Sequence, residues 1–363
     1  MIDSNIETYL ESCLNASLDL NGESTLTNSF KIHMTEHYFD FIPYLPATYV
    51  LNADLASHIE QIAMSVLYPK YTVFPGQGLQ FVDTRSEGMA NARALRFYLK
   101  KGVYRRLSFD KLSQVRPFLS HNGNSQIIRL MKGYNFNPLA GSGMVGISGR
   151  SGLGKTVFSI YLLKNLLSMG ANLTIIDPKL DYNLHAFSEK YGLEYVTPNL
   201  DENSTSFLDQ VSRILKRLID VIHQRQYMLI QNSQRDFKPE IVFIDEALAL
   251  TSAQTTKAKN AYLALLDRIM LMGRATRCYL YVSAQSFGAN DVLSSAAREQ
   301  LCLRIIFSNF PSKEDCRFLL KDLDDPRSIV LNRDEHHFGL GLAQGPDGRV
   351  VPFMAPYIAD MEG

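Results

Sequence analysis

The stretch Gly149-Arg150-Ser151-Gly152-Leu153-Gly154-Lys155-Thr156 matches the phosphate-binding pattern G-x-x-x-x-G-K-[ST] at every fixed position. The apolar run 144–148 before it predicts a buried strand, and residues 157–167 after it have apolar side chains at helical spacing. Strand, glycine loop and helix form the context that this pattern requires. A chance match with a glycine-rich turn is the alternative, and these flanks disfavour it. The sequence therefore predicts a site for a nucleoside triphosphate.

Each part of this stretch has a chemical role. Glycines allow backbone N–H groups to turn toward an anion, and the start of the following helix adds free N–H groups and the positive end of its dipole. Lys155 is expected to reach the β and γ phosphates, and the Thr156 hydroxyl to hold Mg²⁺. The predicted ATP-binding residues are Gly149, Arg150, Ser151, Gly152, Leu153, Gly154, Lys155 and Thr156.

Bulk properties narrow the class of protein. A chain of 363 residues with 46% hydrophobic content predicts a globular protein of about two domains. No segment is suited to span a bilayer, the first residues do not resemble a signal peptide, and the four cysteines form no CxxC or zinc spacing. We therefore expect a cytoplasmic protein with reduced thiols. The 37 basic and 37 acidic residues argue against a passive nucleic-acid coat protein and leave room for a localised basic channel.

Residues 1–120 predict a small α/β module at the N-terminus. Residues 53–67 have the apolar spacing of a helix, and a second helix is predicted over 89–100. Strands are predicted at 49–51, 71–74 and 79–82, with a hairpin turn at 75–78 joining the last two.

Residues 121–363 predict a second domain in which apolar strands alternate with helices, a pattern typical of a mostly parallel α/β sheet. In such sheets ligands bind at the carboxyl ends of the strands. The predicted strands are 143–147, 172–176, 241–244, 278–282 and 303–307, followed by a terminal hairpin of 340–343 and 350–353.

Two carboxylates follow the strand at 241–244, as in a Walker B motif. Asp245 is placed to complete the Mg²⁺ shell beside Thr156, and Glu246 to polarise a water molecule for attack on the γ phosphate. An ordinary buried strand that ends in a solvated turn is the alternative. The phosphate loop upstream favours the catalytic interpretation.

Two other strands also end in polar residues. Gln285 follows the strand at 278–282 and is of the right type to sense the γ phosphate, although a turn residue is an equally good interpretation. Asp177-Pro178 follows the strand at 172–176, where a turn initiator is the simpler explanation.

The order of these motifs resembles the motor domain of FtsK/SpoIIIE double-stranded DNA translocases, within the FtsK/HerA group that includes conjugative coupling proteins. The resemblance covers roughly residues 140 to 357. It rests on the Walker A loop and then, in order, on Ile176-Asp177-Pro178-Lys179, Gln224-Arg225-Gln226-Tyr227, Ile244-Asp245-Glu246, Met272-Gly273-Arg274-Ala275-Thr276-Arg277, Ser283-Ala284-Gln285 and Asp315-Cys316-Arg317.

The resemblance implies a RecA-like P-loop fold and a hexameric ring that uses ATP hydrolysis to drive duplex DNA through its pore. It also implies an arginine that acts in trans on a neighbouring subunit's nucleotide. Of Arg274, Arg277, Arg298, Arg304 and Arg317, Arg317 aligns best with the family arginine, although a salt-bridged surface residue is the simpler interpretation of each. The family glycine is missing from Ala275-Thr276-Arg277, and we expect neither a winged-helix domain nor a membrane-spanning region. We therefore expect a plasmid or mobile-element relative, recruited by a relaxase or a membrane-bound transfer partner, rather than a chromosome-segregation motor.

The polar stretch 251–260 is a candidate pore loop, because Lys257 and Lys259 could contact DNA phosphates without reading bases. A solvated loop is an equally good interpretation. Glu335-His336-His337 is interpreted as a loop rather than a metal site, and Arg105-Arg106 with Lys100-Lys101 as a solvated helix end.

A second function class stays open at this point. The chain could be a nucleotide-controlled assembly factor or adaptor that moves no DNA. Stimulation of ATP turnover by duplex DNA, rather than by a protein partner, separates the two hypotheses.

Overall fold

The computed structural model describes residues 4–19, 29–44, 51–76, 78–86, 88, 91–119, 126–199, 204–232, 236–252, 254–288, 291–321, 323 and 325–363. The chain divides into two compact units. The first comprises Met1–Tyr104, Asp322–Asn332 and Arg349–Pro352, and the second Arg105–Lys321, Arg333–Gly348 and Phe353–Gly363. The domain boundary at residue 120 remains a prediction.

The first unit is built on an antiparallel sheet with two helices. Its elements are α1 (Ser4–Asp19), β1 (Phe30–Met34), β2 (Tyr38–Pro43), α2 (Ala53–Leu67), β3 (Tyr71–Val73), β4 (Phe81–Asp83) and β5 (Arg93–Lys101). The strand order is β1-β2-β5-β3, and β4 also pairs with β5. Stacked rings in the core, Phe30 on Phe41 and Phe39 on Phe97, join neighbouring strands.

The predicted helix 53–67 is confirmed, whereas the helix predicted over 89–100 is wrong, because residues 93–101 form the central strand β5. On that strand Leu95, Phe97 and Leu99 are buried in alternation, which is the periodicity of a strand. The 75–78 turn does not close a hairpin, since β3 and β4 each pair with β5. Of the strand predicted at 49–51, residues 49 and 50 lie outside the described residues, and Leu51 lies outside any strand.

The second unit carries the nucleotide-binding motif. Its helices are α3 (Lys155–Ser168), α4 (Tyr182–Tyr191), α5 (Ser204–Ile230), α6 (Ala247–Thr251), α7 (Thr256–Met272), α8 (Ser295–Glu299) and α9 (Lys313–Cys316). The later strands of the chain are β6 (Ser108–Lys111), β7 (Phe118–Leu119), β8 (Gln126–Met131), β9 (Tyr134–Phe136), β10 (Met144–Gly149), β11 (Asn172–Ile176), β12 (Glu194–Val196), β13 (Glu240–Ile244), β14 (Cys278–Ala284), β15 (Leu301–Phe307), β16 (Leu340–Gln344), β17 (Val350–Met354) and β18 (Tyr357–Asp360).

The main sheet has eight strands in the order β12-β11-β13-β14-β10-β15-β16-β17. The strands from β12 to β15 in this order pair in parallel, and β16 pairs antiparallel with β15. This arrangement confirms the predicted α/β class with a mostly parallel sheet. Strand β10 lies between β14 and β15, so the phosphate-loop strand is central and the strand ends that carry the candidate residues lie side by side.

The helix after the phosphate loop is anchored in the core. Phe158 of α3 is fully buried and makes edge-to-face contacts with Phe307 and Phe353, at centroid distances of 5.7 Å and 5.2 Å. These contacts pack the start of α3 against the end of β15, next to the strand β10 that leads into the phosphate loop. Among the helices that the structure describes, none combines the length and apolar character that a membrane span needs.

Candidate active site

The phosphate loop connects the end of β10 to the start of α3, and its glycines are structurally required. Gly152 and Gly154 adopt positive φ angles of 81° and 97°, which side-chain-bearing residues rarely take. At Gly149 a Cβ would lie 2.6 Å from the Cβ of Phe307, so the loop begins in direct contact with β15. The first amides of α3 have no partner within their own helix, and they can therefore bind an anion.

Lys155 is buried in this loop, and its Nζ donates a hydrogen bond to the carbonyl oxygen of Gly149. Burial lowers the pKa of Lys155, while the charges of Glu246 and Asp245 act in the opposite direction. The ammonium group is thus held between the loop and the two carboxylates, where it can reach a phosphate.

The two carboxylates after β13 occupy different environments. Asp245 is buried, and burial together with the nearby charge of Asp177 raises its pKa to about 6. Glu246 is also buried and has a left-handed backbone, with φ 41° and ψ 55°. Its carboxylate accepts the N–H of Gln285 at 3.1 Å and forms an ion pair with the Nζ of Lys179 at 3.1 Å. Glu246 is therefore held in one orientation from two sides.

The turn after β11 contributes the side chains of Lys179 and Asp181, whose roles the sequence did not reveal, and it is held by Asp177. Asp177 is fully buried and accepts hydrogen bonds from the N–H of Lys179 (2.8 Å), the N–H of Asp181 (2.7 Å) and the hydroxyl of Tyr195 (2.8 Å). Asp181 caps helix α4, and its second oxygen accepts a hydrogen bond from Thr156 Oγ1 at 3.4 Å. The predicted turn thus places Lys179 against Glu246 and Asp181 against Thr156.

These groups line one cavity of about 450 Å³ at the carboxyl edge of the sheet. Its lining residues are Arg150, Ser151, Gly152, Gly154, Lys155, Thr156, Val157, Lys179, Asp181, Asp245, Glu246 and Phe338. Most of the predicted phosphate-loop residues and both Walker B carboxylates therefore meet in one place. Lys179, Asp181 and Phe338 were not predicted as site residues. Lys179 belongs to the Ile176-Asp177-Pro178-Lys179 stretch of the resemblance, whereas the only sequence signal for Asp181 was its position shortly after a buried strand.

The cavity suits a magnesium ion as well as phosphates. Asp245 is buried beside Asp177 and Glu246, a grouping of negative charge whose repulsion a cation would relieve. Thr156 supplies a hydroxyl oxygen, and oxygen ligands are the ones that Mg²⁺ prefers. Thr156 and Asp245 would hold the ion, and the ion would supply positive charge to the phosphate oxygens.

Unlike the two carboxylates, Gln285 and Arg317 do not line this cavity. The backbone N–H of Gln285 binds Glu246, but its exposed side chain lines an adjacent cavity of about 590 Å³. Arg317 follows the short helix α9, is exposed, lies 4.0 Å from Glu314 and packs over the ring of Phe318. Arg317 is not a lining residue of the nucleotide cavity of its own chain. Both assigned roles remain predictions.

The candidate DNA-contacting lysines lie on a helix, so the prediction of a polar loop over 251–260 is wrong for its second half. Helix α7 begins at Thr256, because Thr255 caps it by accepting the N–H of Ala258 at 3.3 Å. Lys257 is exposed in the first turn, whereas Lys259 forms an ion pair with Asp291 at 2.6 Å. Their contact with DNA remains a prediction.

Two of the weaker sequence signals have structural explanations. His336 stacks on Tyr357, with ring centroids 4.1 Å apart. Arg106 is not at a solvated helix end: it is buried and forms an ion pair with Asp334. In the described part of the chain, no group of three or more His, Cys, Asp or Glu side chains is arranged to hold a metal.

Comparisons with known proteins bear on this site. No protein-family model matches the chain. The FtsK domain-containing protein YdcQ of Bacillus subtilis (strain 168) is 24% identical over 218 residues, which cover 58% of this chain and 42% of that protein. The match therefore spans less than half the length of this curated relative. The solved structure of the pCW3 conjugation coupling protein TcpA, in monomer form with ATPγS, covers 96% of this chain and 94% of that chain, with a TM-score of 0.51 and 14% identity.

The chain resembles FtsK/HerA-type motors in sequence and in fold. The predicted resemblance is thus confirmed, and so is the RecA-like P-loop fold. The roles assigned to the Walker A residues and to Asp245 and Glu246 remain predictions.

Proposed function

We propose that this chain hydrolyses ATP to move double-stranded DNA, as a ring of six copies, in the cytoplasm and in the transfer or maintenance of a plasmid or mobile element. The observation that carries the proposal is the meeting of Lys155, Thr156, Asp245 and Glu246 in one cavity. This set provides a phosphate-binding cation, two magnesium ligands and a base for water. A nucleotide site that only binds would not need the base.

Glu246 is the group that fits the base. Its buried carboxylate lines the cavity beside the loop and forms an ion pair with the Nζ of Lys179 at 3.1 Å. A carboxylate so placed can accept a proton from a water molecule in line with the γ phosphate. Lys155 and the loop amides then stabilise the negative charge that develops on the phosphate oxygens.

The DNA part of the proposal draws support from two relatives. One is named as a conjugation coupling protein and the other as an FtsK domain protein. Lys257 is the better candidate for contact with DNA phosphates, because it is exposed, whereas Lys259 is ion-paired with Asp291. The exposed Arg317 is available to the nucleotide of a neighbouring copy, and Gln285 would sense the γ phosphate. A relaxase or a membrane-bound transfer protein would recruit the ring.

The test is steady-state ATP hydrolysis with and without duplex DNA, with Lys155→Ala as the inactive control. We expect duplex DNA to stimulate the wild-type rate and the stimulation to fall as salt is added, because phosphate contacts are screened. Displacement of a third strand from a DNA triplex would then report movement along the duplex. A rate that ignores DNA but rises with a protein partner would favour the assembly-factor alternative.

Electron microscopy with ATPγS and duplex DNA tests the ring. We expect six-fold particles with a central hole wide enough for the duplex. Particles that remain monomeric at saturating nucleotide and DNA would contradict the hexamer.

A further inference from the structure

We propose that Phe338 is the stacking wall for the nucleobase in the nucleotide cavity. This inference rests on the proposed ATP-binding function and assigns the part of the cavity that the phosphate chemistry does not explain. The expected ligand of the cavity is a nucleoside triphosphate, and the flat face of its base would stack on the ring of Phe338.

The cavity has two chemically different parts. The phosphate loop, Lys155 and the carboxylates account for a triphosphate and a divalent cation. Among the residues that line the cavity in the described part of the chain, only Val157 and Phe338 have apolar side chains. A purine needs a flat apolar surface to leave water, and the ring of Phe338 is the one aromatic face among these lining residues.

The ring lies directly against the phosphate loop. A Cβ placed on Gly154 would be 3.8 Å from Cδ2 of Phe338 and 3.4 Å from the Cα of Gly339. The N–H of Gly339 donates a hydrogen bond to the carbonyl oxygen of Leu153 at 3.0 Å. The base-stacking wall is therefore joined to the loop that grips the phosphates, so a single ligand can contact both.

A buried arginine holds this wall in place. The guanidinium of Arg106 is almost fully buried and forms an ion pair with Asp334 at 2.5 Å. It also donates hydrogen bonds to the carbonyl oxygens of Phe338 at 2.8 Å and Ala355 at 2.6 Å. Because Arg106 binds the carbonyl oxygens of Phe338 and Ala355 together, it fixes the backbone that carries the ring.

Aromatic neighbours support the ring without filling the cavity. His336 and Tyr357 lie at tilted angles, with centroids 5.8 Å and 6.1 Å from that of Phe338. Neither of them lines the cavity, whereas the half-buried Phe338 does. A wall fixed before the ligand arrives avoids part of the entropy that ordering would cost on binding.

The test compares two ligands, ATPγS and inorganic tripolyphosphate, each with Mg²⁺. Tripolyphosphate carries the same phosphate chain without a base, so it reports on the loop alone. Calorimetry would measure the Kd of both ligands for the wild type, Phe338→Ala and Phe338→Tyr. Phe310→Ala is the matched control, because Phe310 is exposed and lines the adjacent cavity instead.

We expect Phe338→Ala to weaken ATPγS binding about tenfold, the effect of one lost base–aromatic stack, and to leave tripolyphosphate binding unchanged. Phe338→Tyr should restore ATPγS binding, and Phe310→Ala should change neither ligand. The inference is overturned if Phe338→Ala binds ATPγS as the wild type does, or if it loses both ligands equally. A wild-type chain that binds neither ligand would overturn the proposed function itself, and this inference with it.

Discussion

A buried aspartate follows each of the neighbouring strands β11 and β13, yet the surroundings of the two carboxylates differ. The strands run parallel and in register, with Ile176 opposite Ile244, so Asp177 and Asp245 follow at equivalent positions. Asp177 accepts two backbone N–H groups and the hydroxyl of Tyr195. Asp245 is buried beside this charge, and its pKa is raised to about 6.

The difference indicates that two carboxylates at the same sheet edge have separate roles, one structural and one chemical. The carboxylate of Asp177 accepts backbone hydrogen bonds from Lys179 and Asp181, and these bonds shape the 177–181 turn. The raised pKa of Asp245 shows that its charge is poorly compensated in the chain alone. A bound cation would supply the missing compensation. Four changes test this division, starting with the largest effect.

The largest effect is expected at Glu246, next to Asp245. Glu246→Gln keeps an oxygen for the N–H of Gln285 but cannot accept a proton from water. We expect turnover to fall by about 10²- to 10⁴-fold while ATPγS binding is retained. Steady-state hydrolysis and calorimetry measure the two effects. Glu335→Gln, at an exposed glutamate, is the control, and a wild-type rate in Glu246→Gln would remove the catalytic base from the mechanism.

At the β11 end we expect a loss of stability. Asp177→Asn retains one acceptor oxygen and points an NH₂ group at a remaining N–H donor. The free energy of unfolding should fall by about 3 kcal/mol, because hydrogen bonds to a buried charge are lost. Urea unfolding measures it, with the exposed Asp110→Asn as control. If Asp177→Asn is as stable as the wild type, the turn is held by other contacts and the comparison fails.

After β13, the substitution Asp245→Asn should increase the stability of the folded chain. Because the pKa of Asp245 is raised from 3.8 to about 6, its charge destabilises the folded state progressively as pH rises from about 4 to about 6. Without nucleotide and magnesium, Asp245→Asn should be more stable than the wild type by about 2 kcal/mol at pH 7, and no more stable at pH 4. Thermal unfolding at both pH values measures this. An equal effect at both pH values would contradict the assignment.

The smallest effect is expected at Lys179, which links the two strand ends. Its Nζ lies 3.1 Å from a Glu246 oxygen, but its side chain is 43% exposed, so the ion pair is partly screened. Lys179→Met should lower kcat about fivefold with little change in KM, because Glu246 loses one of its two supports. Lys179→Arg should restore most of the rate. A change in KM alone would instead make Lys179 a phosphate ligand.

The strands of the second unit could be predicted from the sequence because the parallel strands are buried on both faces. They appear as continuous apolar runs such as 278–282, and each ends in the polar residues that meet at the sheet edge. The carboxylates Asp245 and Glu246 follow from this rule, and the phosphate loop follows from its own sequence pattern. The strand β5 was misread because Arg93–Lys101 is rich in residues that favour helices, and its pairing with β2 overrides that preference.

The remaining site residues depend on contacts between distant parts of the chain. Phe338 lies far beyond Lys155 in sequence, and the hydrogen bond of Gly339 to Leu153 holds it beside the loop. The ion pair of Lys179 with Glu246 likewise needs the adjacent placement of β11 and β13. Neither contact leaves a local pattern, since each partner taken alone resembles an ordinary turn residue.

The missing side chain of Gly149 has a mechanical consequence. Even one methyl group there would overlap Phe307, so the start of the phosphate loop is in close contact with the end of β15. A displacement of the loop toward β15 would therefore require the end of that strand to move as well. The end of β15 borders the adjacent cavity, as does Gln285. If the chain is the ATP-driven motor that we propose, a movement of the loop would therefore reach that cavity through β15.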